Sequence, residues 1–208
     1  MQIIHPHNPG IILDHLPEGI FKQLKEVVQK RREKHNTFDN PRKQSLQVLS
    51  IKEIDDTPYF EDMKTYLVDL FKIWCQTFGI TCHDFRFSSI WTNYMKAGEF
   101  GPMHKHTPAL VAFVIWVKIP YDCNKEKKFH YEGNDVDFTN RNGAFEFMYL
   151  KYDGSNDLYR IDLDKSDEGK ILMFPGNLPH CVYPFFTSDQ ERISVAGNIY
   201  SLDRMVGF

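Results

Sequence analysis

The chain has 208 residues and a formal net charge of −3, with 14% aromatic residues, nine histidines and four cysteines. That length suits one domain, 1–208, with a sizeable core. The mildly acidic balance excludes a nucleic-acid binder that works by neutralising phosphates, and no apolar run approaches the ~18 residues a membrane span needs.

The opening stretch, MQIIHPHNPGIILDHLPEGI, lacks the basic and apolar regions of a secretory signal. It reads as a strand or a lead, and His5, His7 and His15 within it receive no ligand role. A helix is predicted over Pro17–Lys34, where Ile20, Phe21, Leu24, Val27 and Val28 recur at three- and four-residue steps. Its closing cluster Lys30, Arg31, Arg32 and Lys34 suits a helix C-terminus. A second helix is predicted over Tyr59–Phe78, with Met63, Tyr66, Leu67, Leu70, Phe71 and Trp74 as its apolar face. Residues 1–80 thus form a helical support for the remainder of the chain.

After Gly79 the pattern changes to short β-branched and aromatic runs broken by Gly, Pro, Asn and Asp. Strands are predicted at Phe85–Lys96, Ala109–Ile119, Lys127–Tyr131, Ala144–Tyr152, Leu158–Leu163, Lys170–Phe174, Cys181–Phe185 and Arg192–Leu202. In FEFMYLKY, Phe145, Phe147 and Tyr149 share one face and Glu146, Met148 and Leu150 the other. Trp91, Phe113 and Trp116 read as barrel core or pocket wall, and the acidic run Asp162–Glu168 as a hairpin turn. The class is mainly β: an antiparallel sandwich or jelly roll over 81–208 with helices packed outside.

The cysteines, Cys75, Cys82, Cys123 and Cys181, form no CxxC pair and read as reduced thiols of a cytoplasmic protein. No Walker A loop, GxGxxG or GxSxG is present. Three fragments carry chemistry. His104 and His106 in WTNYMKAGEFGPMHKH are i and i+2, so on a strand both imidazoles face one side. His180 follows an apolar strand and a Pro-Gly-Asn turn in MFPGNLPHCVYPF. Arg192 and Ser194 in ERIS are again i and i+2, an arginine fork with a hydroxyl beside it, shaped for a bidentate carboxylate. Alone, each fragment also fits a surface or satisfied core residue. Cys181 beside His180 points to the opposite face, which argues against a Cys/His nucleophile pair.

In this order, HxH, distal His, then Arg-x-Ser, the chain resembles the iron(II)/2-oxoglutarate-dependent oxygenases. The similarity covers roughly residues 85 to 202. It is strongest to phage and bacterial members with an HxH pair, the turn carried here by Phe174, Pro175, Leu178, His180, Val182, Pro184 and Phe185, and the strand carried by Glu191, Arg192, Ser194 and Asn198. Tyr94, Gly98 and Phe100 ahead of His104 are similar to prolyl hydroxylases. The resemblance implies a double-stranded β-helix, a jelly-roll variant. It implies iron(II) on His104 and His180, the distal carboxylate of 2-oxoglutarate on Arg192 helped by Ser194, and a cosubstrate hydrogen bond from Tyr94. It also implies partners: 2-oxoglutarate, molecular oxygen and a peptide, protein or small-molecule substrate, hydroxylated with release of succinate and carbon dioxide. Loops Asp122–Lys127 and Asn134–Asn142 are the expected substrate contacts.

The chain departs from the usual facial triad of two histidines and a carboxylate. His106 stands where the carboxylate belongs, and no Asp or Glu lies between Lys105 and Lys118. A three-histidine site, His104, His106 and His180, is therefore expected. The alternative completes the triad with a carboxylate from Asn134–Asp137. Two other readings stay open at this point: a three-histidine cupin-type dioxygenase that does not use 2-oxoglutarate, and a non-enzymatic β-sandwich binding module.

Overall fold

Both predicted helices form, and their apolar stripes decide where they sit. A computed structural model describes residues 1–4, 7–34, 47–50, 58–87, 90–129 and 141–203. Helix α1 spans Glu18–Lys34 and buries Leu24 and Val28. Helix α2 spans Pro58–Phe78, with proline at its first position, where a missing N–H costs nothing. It buries Met63, Leu67, Leu70, Phe71 and Trp74, and the Trp74 indole donates to the Gly10 carbonyl at 2.9 Å. Gly79, at φ 67°, ends it in the left-handed conformation that glycine adopts without strain.

The strands are β1 (Gln2–Ile4), β2 (Ile11–His15), β3 (Gln47–Ser50), β4 (Phe85–Phe87), β5 (Trp91–Met95), β6 (Gly101–His104), β7 (Val111–Lys118), β8 (Phe145–Leu150), β9 (Asn156–Ile161), β10 (Lys170–Pro175), β11 (His180–Val182) and β12 (Arg192–Ser201). They build two antiparallel sheets. The larger runs β1-β2-β10-β7-β12-β5-β3 with β4 on β12, and the smaller runs β6-β11-β8-β9. This is the jelly-roll architecture expected from the sequence.

Strand parity sorts the side chains. On β7, Phe113, Ile115 and Val117 join the layer under the helices, while Ala112, Val114 and Trp116 face the smaller sheet. Phe145 and Phe147 of β8 and Phe174 of β10 complete this inner layer, as the alternation in FEFMYLKY predicts. The helices therefore cover only the outer face of the larger sheet, which leaves the space between the sheets for a site.

Three local expectations differ, and one left open is settled. Phe85–Lys96 divides into β4 and β5. The strand predicted at Lys127–Tyr131 is instead the end of helix α3 (Cys123–Lys128), because the Asp122 carboxylate caps the N–H groups of Asn124 and Lys125. Residues 130 and 131 of that prediction lie outside the described residues. The acidic run Asp162–Glu168 is not a hairpin turn. It holds a capped 3-10 turn, Lys165–Asp167, where the chain passes from β9 in the smaller sheet to β10 in the larger. β2, in the stretch left open as strand or lead, pairs with β10 inside the larger sheet.

Candidate active site

The three histidines reach one point by different local routes. His104 is the last residue of β6, and His180 opens β11 directly opposite it in the ladder. His106 lies beyond β6, not on a shared strand as the i, i+2 spacing predicts. Its backbone N–H instead donates to the Gly176 carbonyl at 2.7 Å. That contact requires glycine, because a Cβ at 176 would stand 2.3 Å from the Ala109 carbonyl oxygen.

Two of the rings have fixed tautomers. His104 Nδ1 is 2.7 Å from the Pro102 carbonyl, and His180 Nδ1 is 3.0 Å from the Leu178 carbonyl. A carbonyl only accepts, so each Nδ1 carries the hydrogen and each Nε2 keeps a lone pair. Backbone orientation of this kind is how metal-binding imidazoles are usually aimed.

Ligand atoms of His104, His106 and His180 all lie within 4.8 Å of one another. Ring centroids are 4.3 Å apart for His104 and His180, and 5.1 Å for each with His106. Burial, with a smaller contribution from His104, pushes His106 down to about 4. Burial pushes His180 down to about 3, the neighbouring imidazoles adding to the effect. Both rings are neutral at neutral pH, the form that ligates a metal. Phe145 stacks on His180 at 5.3 Å, Phe174 meets it edge-on at 4.9 Å, and Trp91 lies 5.8 Å from His106. Three converging imidazoles with apolar walls suit a divalent first-row metal and bring no charge to balance it. Among the described residues, this is the group of three side chains able to hold a metal ion. The Asn134–Asp137 carboxylates lie outside the described residues.

A cavity of about 180 Å³ runs from the histidines to Arg192, Ser194, Asn93 and Met95. That is more than ten times the ~10–15 Å³ that a single buried water requires, room for a small organic acid. Arg192 is 2% exposed, so its charge is held by the protein. Nη1 donates to the Tyr121 hydroxyl and the Gly143 carbonyl, and Nη2 to the Tyr183 carbonyl and Met95 Sδ. Ser194 Oγ accepts from Asn93 Nδ2 at 3.3 Å, which leaves the hydroxyl hydrogen to donate elsewhere.

Tyr94 is not brought to the cavity. It lies on the helix face of β5, fully buried, and its hydroxyl donates to the Val28 carbonyl at 3.2 Å. A cosubstrate hydrogen bond from Tyr94 is thereby corrected: alternation sends Trp91, Asn93 and Met95 inward and Tyr94 outward. The sequence pattern alone did not single out Asn93, Met95 or Tyr121. Parity from Trp91, already taken as wall, is the signal for the first two. Tyr121 carries no comparable signal, because it sits past the end of β7.

One family model and several solved structures match this chain. The family model described as 2OG-Fe(II) oxygenase matches residues 89–198. A search of curated protein sequences finds no match. Among solved structures, a Pseudomonas putida prolyl-4-hydroxylase is similar over 92% of both chains, with 16% identity and a TM-score of 0.58. A Trichoplax adhaerens prolyl hydroxylase in complex with a hypoxia inducible factor peptide fragment is 13% identical over 93% of this chain and 84% of that one, TM-score 0.59. HygX from Streptomyces hygroscopicus, with nickel and 2-oxoglutarate bound, is 8% identical over 94% and 84%, TM-score 0.57. At these identities the likeness is one of fold.

Proposed function

Because the chain belongs to the 2OG-Fe(II) oxygenase family, whose cofactors are iron(II) and 2-oxoglutarate, we propose that it is a dioxygenase that hydroxylates a peptide, protein or small-molecule substrate. The observation that carries this reading is one cavity with three converging imidazoles at one end and a buried arginine at the other. In this reading His104, His106 and His180 hold the iron, and Arg192 and Ser194 hold the distal carboxylate of 2-oxoglutarate. When bound, the metal and cosubstrate together supply an oxidation coupled to decarboxylation, with succinate and carbon dioxide as co-products.

The chain's own residues do the rest. The carbonyls of Pro102 and Leu178 keep two imidazoles in the ligating tautomer. Arg192 neutralises a carboxylate at a fixed distance from the histidines, which orients the cosubstrate. Phe145, Phe174, Trp91 and Trp116 line the cavity and exclude water from the reacting groups. Shortly before His104 in the chain, Phe100 and Met103 are 42% and 41% exposed, apolar surface that a substrate too large for the cavity would meet. A peptide or protein substrate draws support from the prolyl hydroxylases of similar fold.

The test is oxygen-dependent conversion of 2-oxoglutarate to succinate by the purified chain with iron(II). Turnover is expected in the wild type and loss below detection in His180→Ala. Arg192→Ala is expected to weaken 2-oxoglutarate binding at least tenfold while metal binding stays intact. Turnover that persists in His180→Ala would refute the assignment.

A further inference from the structure

The surroundings of Arg192 single out Met95. Two terminal guanidinium nitrogens carry four N–H groups, and four acceptors surround them: Tyr121 hydroxyl at 2.9 Å, Gly143 carbonyl at 3.1 Å, Tyr183 carbonyl at 3.0 Å and Met95 Sδ at 3.1 Å. The fifth donor is Nε–H, and a carboxylate that pairs side-on with Nε and Nη2 must displace an acceptor of Nη2, Met95 Sδ or the Tyr183 carbonyl.

Three of the four are fixed oxygens. Gly143 and Tyr183 offer backbone carbonyls, and their segments are tied together by Gly143 N–H to the Pro184 carbonyl and Tyr183 N–H to the Ala144 carbonyl. The Tyr121 hydroxyl is itself pinned by donating to the Gly143 carbonyl at 2.7 Å. None of these three lines the cavity. Met95 does, and it differs in chemistry as well. Its thioether is a weak acceptor at the end of an unbranched side chain with three rotatable bonds.

We infer that Met95 is a displaceable stand-in for the distal carboxylate of the cosubstrate, and that the space it fills sets the length of diacid the cavity accepts. The inference rests on the reading of Arg192 as the carboxylate anchor. The thioether satisfies the inward N–H of Nη2 and turns aside when a carboxylate oxygen takes its place. The exchange runs in that direction because an anionic carboxylate oxygen is a far stronger acceptor for a guanidinium N–H than a neutral thioether sulfur, which accepts only weakly.

The test uses the full chain loaded with manganese(II), a redox-quiet probe, and measures calorimetric affinities for 2-oxoglutarate and for 2-oxoadipate, one methylene longer. Met95→Leu keeps the bulk and removes the acceptor. It is expected to bind 2-oxoglutarate about fivefold more tightly, the worth of one ordinary hydrogen bond no longer given up. Met95→Ala opens the space and is expected to raise the affinity of 2-oxoadipate relative to 2-oxoglutarate by at least tenfold. Unchanged manganese(II) affinity reports an intact barrel, and Met95→Leu alone decides if the alanine variant does not fold. Met95→Leu with unchanged or weaker 2-oxoglutarate binding would overturn the inference and leave the role of Arg192 standing. A wild-type chain that binds manganese(II) but no 2-oxoglutarate would overturn both.

Discussion

His106 is the side chain on which the chemistry of the site turns. In the proposed reading it takes the place of the facial-triad carboxylate, and its imidazole lies 5.1 Å, centroid to centroid, from both other rings. Removing an outer-shell partner of a metal ligand already costs roughly 10–100-fold in affinity. Loss of a direct ligand should exceed that, so His106→Ala is expected to weaken divalent-metal binding by at least ~100-fold. His106→Asp, which restores the usual donor set, is expected to keep it. Equilibrium dialysis with metal analysis checks both, and an alanine variant with wild-type affinity would remove His106 from the site. The residues that the sequence made legible here were those carried by spacing and turn context: His104, His180, Arg192 and Ser194 all border one cavity. Tyr94 was misread because a motif position says nothing about strand parity. Met95 and Tyr121 were not legible, because their role depends on which loop meets Arg192 in three dimensions.

Helix α1 is fastened to the strand that carries Arg192. Arg32 meets Glu191 through two bonds, at 2.9 and 2.7 Å, and its guanidinium lies 5.3 Å from the centre of the Tyr94 ring. Both side chains of the pair are largely buried, at 25% and 19% exposure. A bidentate pair in that setting exceeds the usual surface ion pair. Arg32→Ala is expected to cost about 1–2 kcal/mol, read as a lower denaturant midpoint, and an unchanged midpoint would contradict the fastening. Helix α2 is tied to β2 by the Tyr66 hydroxyl, which donates to Asp14 at 3.1 Å. Burial first, then the Asp14 carboxylate, raises the Tyr66 phenol above its ordinary value. The folded chain therefore favours the neutral phenol. That contribution is full below the unfolded value of about 10 and is lost as pH rises above it. Tyr66→Phe should consequently lose less stability than the wild type between about pH 10 and 12 in urea titrations, and equal losses would contradict the assignment. Long helices with periodic stripes were legible in the sequence. Helix α3 was not, because its short run depends on one cap and on Glu126, whose buried carboxylate accepts from the backbone N–H groups of Phe186 and Thr187.

The described residues form a two-sheet sandwich with the two long helices on one outer face, and this arrangement explains why the site lies where it does. The larger sheet takes its stability from two layers, with Trp74 and Leu67 on one side and Trp116 and Phe174 on the other. The smaller sheet, only four strands, contributes His104 and His180 from two adjacent strands. Arg192 comes from the larger sheet, so the cavity joins the two. Alternating aromatic runs made the sandwich legible. The strands that were missed or left open, β1, β2, β3 and β6, are at most five residues long and lack a repeat long enough to reveal alternation. Among the described residues, no helix is long and apolar enough to cross a membrane. In the proposed reading one cavity holds metal and cosubstrate together, each dependent on the other. Anaerobic calorimetry with 2-oxoglutarate tests it most directly. One equivalent is expected to bind the iron(II)-loaded chain, with at least tenfold weaker binding without metal or in His180→Ala. Equal 2-oxoglutarate affinity with and without metal would contradict it.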